Sequence, residues 1–356
     1  MSSCFSITRS RTARSFSLIY NHLGGGYEIL DTSGLSFLKH SWAFVRILRR
    51  FKPDVVNFHF DHSFCFYAFL CKLCGVKGIF KTERMCLTAG DDWHQLTHRS
   101  QLSWRLRLLY LDGLVYRLSD VHFFVSRYVC RQFETVFGKD RRNRVSYIGV
   151  PDGRQYDEQD KATLRKELNI SENQVVLANT SFAVYWKGVD ILLRALPLLR
   201  GNCVLLLMGW NEEIPLTADM HALAKELGVE EKIRWIGITD EVYKYLSVTD
   251  IYVQPSRTET LGLAVCEAMS YGMPCVGSDV SGLPEVCNVL FTPEDYNDLA
   301  ARLNTLIADE ELRHRLGRES RQAFEQKFRQ QVGAAAYNST YREVVGKKER
   351  KGRKHQ

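Results

Sequence analysis

Residues 255–285 read PSRTETLGLAVCEAMSYGMPCVGSDVSGLPE, and seven residues separate Glu259 from Glu267, with Gly262 between them. The run 263–271 has helical spacing, so Glu259 falls on the loop ahead of a helix and Glu267 one turn inside it. A carboxylate accepts two hydroxyl hydrogen bonds at once, which suits vicinal diols; one acid can reach a sugar ring and the other a ribose. The backbone N–H groups of Leu261, Gly262 and Leu263, just after Thr260, open that helix, and such a positive terminus attracts phosphate. Gly262, lacking a Cβ, lets the backbone come close to its ligand.

Around this stretch the second half alternates strands and helices. QVVLANTS, NCVLLLMG, KIRWIG, DIYVQP, MPCVGS and NVLFT are nearly all apolar, as strands covered on both faces are. Helical spacing fills the gaps at 187–199, 216–227, 241–246 and 295–308. The first half follows the same alternation: DVVNFHF (54–60), a helix over 64–74 broken by Gly75, VKGIFKT (76–82), a helix over 102–118, VHFFVS, and a helix over 128–137. Such repetition predicts an α/β protein of two Rossmann-like, doubly wound domains facing across a cleft, with ligand at the C-terminal ends of the strands. The polar segment GVPDGRQYDEQD (149–160) marks the boundary. The expected division is an acceptor-side domain over 1–150, a donor-binding domain over 151–335, and a terminal helix end with a basic tail over 336–356. The last helix, 319–345, has no strand after it and is expected to pack back across both domains.

At 356 residues the chain exceeds what one core usually organises. With 45% hydrophobic and 25% charged residues it has the composition of a soluble enzyme, and no apolar run is long enough to cross a bilayer. The start MSSCFSITRSRTARSF, rich in Ser and Arg, lacks an apolar amphipathic face and reads as unstructured rather than as a transit peptide. Among the ten cysteines only Cys71 and Cys74 form a C-x-x-C pair; in an apolar helical run they read as buried thiols, not as a metal site, and free thiols point to a reducing cytoplasm. Residues 1–150 carry 22 Lys and Arg against 11 Asp and Glu, while the rest of the chain is net acidic. A basic first half suits an anionic surface or a phosphorylated acceptor.

The 255–285 segment resembles the E-x7-E motif of the family 4 retaining glycosyltransferases, with their P-x-V and G-x-P-E elements at 274–276 and 282–285. YWKGVDILLRALPLL (185–199) resembles the family's K-G-x-D-x-L-L-x-A element, and 227–256 its strand, helix and D-x-x-x-x-P-S run. KPDVVNFHF and SDVHFFVSRYV are similar to N-terminal elements of the same family. The resemblance implies the GT-B fold and retaining transfer from a nucleoside diphosphate sugar to a hydroxyl acceptor, a saccharide or a lipid-linked molecule. It implies that Lys187 neutralises the donor diphosphate and that Glu259 orients the sugar. It also implies that Ser181, Thr260, Leu261, Gly262, Leu263 and Glu267 line the donor site, and that the departing diphosphate takes the acceptor's proton. No cofactor and no metal are implied, and the chain contains no Asp-x-Asp.

Three departures stand out. Ser181 occupies a position where relatives often carry Arg. Where many have Thr-x-His, this chain has Thr82, Glu83 and Arg84, so His59 or Arg84 takes the acceptor-side role. The family's first strand has no counterpart ahead of residue 54 beyond LGGGYEIL (23–30), so the N-terminal domain is expected to lack it. A cytoplasmic enzyme of envelope polysaccharide or glycolipid assembly, at the inner membrane face, follows from this reading. A non-catalytic donor-binding relative, or an epimerase or phosphorylase on the same fold, is the alternative. Nucleic acid is not an expected partner, since no stacking aromatics accompany the bases.

Overall fold

A computed structural model describes residues 4–9, 16–21, 37–59, 64–85 and 117–353. The chain divides into two compact units, Met1–Tyr147 with Ala334–Gln356, and Ile148–Gly333.

The second unit is built on six parallel strands: β7 (Val175–Thr180), β8 (Cys203–Met208), β9 (Ile233–Gly237), β10 (Ile251–Gln254), β11 (Cys275–Ser278) and β12 (Val289–Phe291). Each is one of the apolar runs read from the sequence, and β8 is buried along its whole length. Leu177, Leu205, Leu207 and Val253 pack with Ile191 and Leu192 of the helix Val189–Ala195, and with Leu299 and Leu303 of the helix Tyr296–Ala308. Asp295 caps the latter helix by accepting from the N–H groups of Asn297 and Asp298. The strand order is β12-β11-β10-β7-β8-β9. From β7 the chain winds outward through β8 and β9, then returns to lay β10 on the other side of β7. The connections leaving β7 and β10 therefore run off in opposite directions from neighbouring strands, which makes this C-terminal edge a topological switch point, the place where a crevice is expected in such sheets.

The first unit has the sheet order β2-β1-β3-β4-β5-β6, formed by Cys4–Arg9 (β1), Phe16–Asn21 (β2), Val55–His59 (β3), Gly78–Glu83 (β4), Val121–Phe124 (β5) and Asn143–Val145 (β6). All neighbours are parallel except β1 and β2. This corrects the expectation of an unstructured start and a missing first strand: β1 pairs with β3 from Cys4↔Val55 to Ile7↔Phe58. The Ser and Arg content of this stretch hid a strand in which Phe5 and Ile7 alternate with polar residues.

Period-two alternation sends Val56, Phe58 and Ile79 to one face of this sheet, under the helices Phe37–Phe51 and Phe64–Leu73. Cys71 belongs to that core, where burial pushes its thiol well above the usual range, and Cys74 is half-buried. Val55, Phe80, Val121 and Phe123 face the other way, under Tyr337, Tyr341, Val344 and Val345 of the final helix. That helix, expected as one piece over 319–345, is instead two: Glu310–Ala323 ends in a wide turn at Phe324–Phe328, and Gln330–Arg353 follows. The break occurs because Phe324 and Phe328 are buried while Arg329, now extended, pairs with Val150. The expected helix over 102–118 falls almost entirely outside the described residues, and the glycine cluster at 23–30 wholly so. Among the described residues no helix is long and apolar enough to cross a membrane.

Tyr341 also accepts a hydrogen bond from Asn57 Nδ2 at 2.8 Å, and Asn57 Oδ1 accepts from Thr82 Oγ1 at 3.0 Å. Tyr341→Ala is expected to destabilise the first unit by about 3 kcal/mol or more, since an aromatic core residue and a buried partner are lost together. Urea unfolding monitored by circular dichroism measures this; a change within the error of the extrapolation would mean that the helix contributes little to that core.

Candidate donor site at the strand-order reversal

After β7 the chain runs through the buried Ser181 and Ala183, then turns tightly at Tyr185–Lys187 and ends at Gly188, φ +66°, where the helix Val189–Ala195 begins. Two constraints demand glycine there: the positive φ, and a carbonyl oxygen of Pro255 that a Cβ would overlap. Because Pro255 immediately follows β10, this contact presses the β7 turn onto the β10 loop.

Arg257 straps the two together. Its backbone N–H donates to the Trp186 carbonyl at 2.8 Å. Its guanidinium forks onto Asp190, Nη1 to Oδ1 and Nη2 to Oδ2, both at 2.8 Å, and Nη1 also donates to the Tyr185 carbonyl. Glu294 accepts from the same group, and the Tyr185 ring lies 4.0 Å beneath it. The side chains of Asp190 and Glu294 raise the already high pKa of Arg257 further.

With the loops held, Lys187 Nζ donates to Glu259 Oε2 at 2.5 Å, the two side chains 21% and 15% exposed. The Glu259 carbonyl accepts from Gly282 N–H at 2.9 Å, and a Cβ on Gly282 would strike the Thr260 carbonyl. Gly262, φ +94°, turns the chain into the helix Leu263–Met269. Leu261 is buried beneath, Leu263 is exposed, and among the described residues no acceptor takes the N–H groups of Leu261, Gly262 or Leu263.

Glu267 lies inside that helix, where burial raises its carboxyl above the ordinary range, and among the described residues no base is paired with it. Glu259 and Glu267 share one neighbourhood. The Cys266 thiol, pushed up chiefly by burial, is raised further by Cys275 and by both carboxylates.

Beneath the crevice runs a buried polar chain that sequence reasoning missed. Tyr252 OH donates to Gln254 Oε1, Gln254 Nε2 to Ser256 Oγ, and Ser278 Oγ to the Ser256 carbonyl. Asn179 Nδ2 donates to the Val253 carbonyl at 2.8 Å, and Ser181 Oγ to Asn179 Oδ1 at 2.7 Å, so the Ser181 hydroxyl is tied to the strand ends below the loop. Arg257 and Asp190 were missed as a pair too, although Asp190 stands in the K-G-x-D element and Arg257 two residues before Glu259.

His59 and Arg84 belong to the first unit, at the ends of β3 and β4. Burial, reinforced by the Arg84 charge, holds His59 down at about 3, so its imidazole is neutral, and its buried Nδ1 has no hydrogen-bond partner among the described residues.

An ammonium and a row of N–H groups suit an anion, and two neighbouring carboxylates suit hydroxyls. Residues 9–154 match the family described as Glycosyltransferase Family 4, and residues 160–323 match Glycosyl transferases group 1. N-acetyl-alpha-D-glucosaminyl L-malate synthase of Bacillus anthracis is 29% identical over 234 residues, 64% of this chain and 60% of that protein. A GDP-mannose-dependent alpha-(1-6)-phosphatidylinositol monomannoside mannosyltransferase of Mycobacterium tuberculosis is 29% identical over 53% of this chain and 52% of its own length. The chain thus spans only about half to three fifths of these two relatives. Anabaena HepE, solved in complex with UDP, superposes with a TM-score of 0.73 at 19% identity, covering 84% of this chain and 80% of that one, which is a likeness of fold.

Arg257→Gln is expected to cost about 2 kcal/mol, because it leaves the Asp190 carboxylate without its charged partner; urea unfolding with an unchanged midpoint would show that the strap carries no load. Glu267→Gln should act in the other direction. A carboxyl whose folded pKa is raised favours the native state below the ordinary carboxylate range and loses that advantage as pH rises through the raised value. The variant should therefore melt higher than the parent at neutral pH and alike in acid; an equal difference at both pH values would contradict this.

Proposed function

This chain belongs to the family 4 glycosyltransferases, and from that premise we propose that it moves a sugar from a nucleoside diphosphate sugar to a hydroxyl acceptor with retention of configuration and without a metal. The observation that carries the reading is the convergence, on the reversal between β7 and β10, of Lys187, Glu259 and the N–H groups at 261–263, which no acceptor takes among the described residues.

In the resting site Lys187 is held by Glu259. An arriving diphosphate competes for the ammonium with more charge than one carboxylate offers, so Lys187 turns to the phosphate and Glu259 is released to accept from sugar hydroxyls. Glu267, one turn into the helix, accepts from the ribose diol. Thr260 and the N–H groups of Leu261, Gly262 and Leu263 complete the phosphate cradle, with Ser181 bracing its floor. In the transfer step the bond from the anomeric carbon to the diphosphate oxygen breaks, and the acceptor oxygen bonds to that carbon on the same face. The acceptor proton passes to the departing phosphate. The sugar carries oxocarbenium character on the way, and Lys187 stabilises the negative charge that develops on the leaving group. His59 and Arg84 are the acceptor-side candidates in the first unit.

Support for an acceptor of glycolipid or polysaccharide type comes from the mycobacterial relative, whose name specifies a phosphatidylinositol mannoside, and from the basic first half of the chain. A cytoplasmic position at the inner membrane face fits both.

A panel of nucleoside diphosphates and their sugars, scored by thermal shift, identifies the donor: a ligand at one hundred times its dissociation constant stabilises by about 2.7 kcal/mol. With that donor, Lys187→Ala should lower turnover by roughly 10²–10³. Unchanged turnover in the variant would remove Lys187 from its role.

A further inference from the structure

The helices Phe37–Phe51 and Phe64–Leu73 lie side by side on one face of the first unit's sheet. Phe44 and Leu48 from one, and Tyr67, Ala68 and Cys71 from the other, bury against Val56, Phe58 and Ile79, with the rings of Phe44 and Tyr67 5.0 Å apart. Their outer sides therefore both point away from that sheet. On those outer sides Leu38 is 78% exposed, Trp42 64%, Phe66 39%, Phe69 51% and Leu73 67%. The spacings 38–42 and 66–69–73 are those of a single helical stripe, repeated on both helices. Interleaved with them are the exposed Lys39, Arg46, Arg49, Arg50 and Lys72, and the Arg46 guanidinium sits 5.6 Å from the centre of the Trp42 ring. Neither helix contains an Asp or a Glu.

We infer that this two-helix face docks on an anionic lipid bilayer. Large apolar side chains held outward on a rigid layer enter the boundary between headgroups and acyl chains, where tryptophan is favoured. The Arg and Lys stems lie along that apolar surface while their charges reach lipid phosphates. A second copy of the chain is a poorer occupant, because a two-fold contact through this face would set bases against bases. The inference deepens the membrane part of the proposed function, but rests on no residue of the donor site.

Sedimentation of the full chain with vesicles tests it, using phosphatidylcholine alone and phosphatidylcholine mixed with phosphatidylglycerol. The chain is expected to pellet with the mixed vesicles, to remain in solution with the neutral ones, and to be released by salt. Arg46→Gln with Arg49→Gln should weaken the partition by about fivefold per base removed. Trp42→Gln with Phe69→Gln should weaken it at every salt concentration. All these variants should keep the thermal shift produced by the donor nucleotide, which shows that they are folded. The inference is overturned if the parent stays in solution with mixed vesicles, if the variants bind as tightly as the parent, or if gel filtration shows a dimer that the aromatic variant dissolves. Vesicle binding without any nucleotide-induced shift would instead sink the donor reading and leave this one standing.

Discussion

Lys187 and Glu259 are 72 residues apart along the chain and 2.5 Å apart in space, and that proximity joins two loops at one edge of the second unit's sheet. It exists because the sheet reverses its strand order between β7 and β10, so that two loops distant in sequence leave neighbouring strands at the same end. Adjacency alone would leave the loops several ångströms apart. Gly188 closes the gap by admitting the Pro255 carbonyl where any other residue would carry a Cβ, and Arg257 fixes the closed arrangement with its fork onto Asp190. The planar, pre-organised guanidinium suits this task in a way a lysine would not, since one side chain must reach a carboxylate, a carbonyl and a ring at once.

The electrostatics follow from that geometry. Arg257 has its charge satisfied by Asp190 and Glu294, whereas Lys187, among the described residues, is paired with the single carboxylate of Glu259. Glu267 is the opposite case, an acid kept in a partly desolvated place without a countercharge among the described residues. Such a group costs stability when ionised, and perturbed acids of this kind cluster where function needs them more than stability does. The buried chain from Tyr252 to Ser278 keeps the floor of the crevice rigid, because every link in it is buried and hydrogen-bonded.

Much of this was legible in advance. The strands of the second unit are continuous apolar runs between glycines and polar turns, and doubly covered strands leave no other pattern. Lys187, Glu259 and Gly262 stood out by their local order, a base before a helix and an acid before a glycine, and the structure brings the base and the acid together. The partnership of Arg257 with Asp190 was not, because it is a long-range choice among many acids. Nor was the Tyr252 network, whose members look like ordinary strand residues until the register of β7, β10 and β11 is known. At the other end of the chain, β1 was hidden by its serines and arginines, and the three residues of β6 are too few to show a period. The break at Phe324–Phe328 was hidden for a different reason, since it is set by what those rings bury against and not by any glycine or proline.

The path of the final helix bears on how the molecule is made. Its tyrosines roof a sheet whose strands were all translated far earlier, whereas Ile148–Gly333 is a single uninterrupted stretch. On a ribosome the second unit has all of Ile148–Gly333 in hand before the first unit, whose Val55, Phe80, Val121 and Phe123 stay bare until Tyr337, Tyr341, Val344 and Val345 have emerged. Nascent chains usually mature from the amino end. Here the order of completion is reversed, and until residues 337–345 are made one apolar face of the first unit's sheet has no cover from that helix.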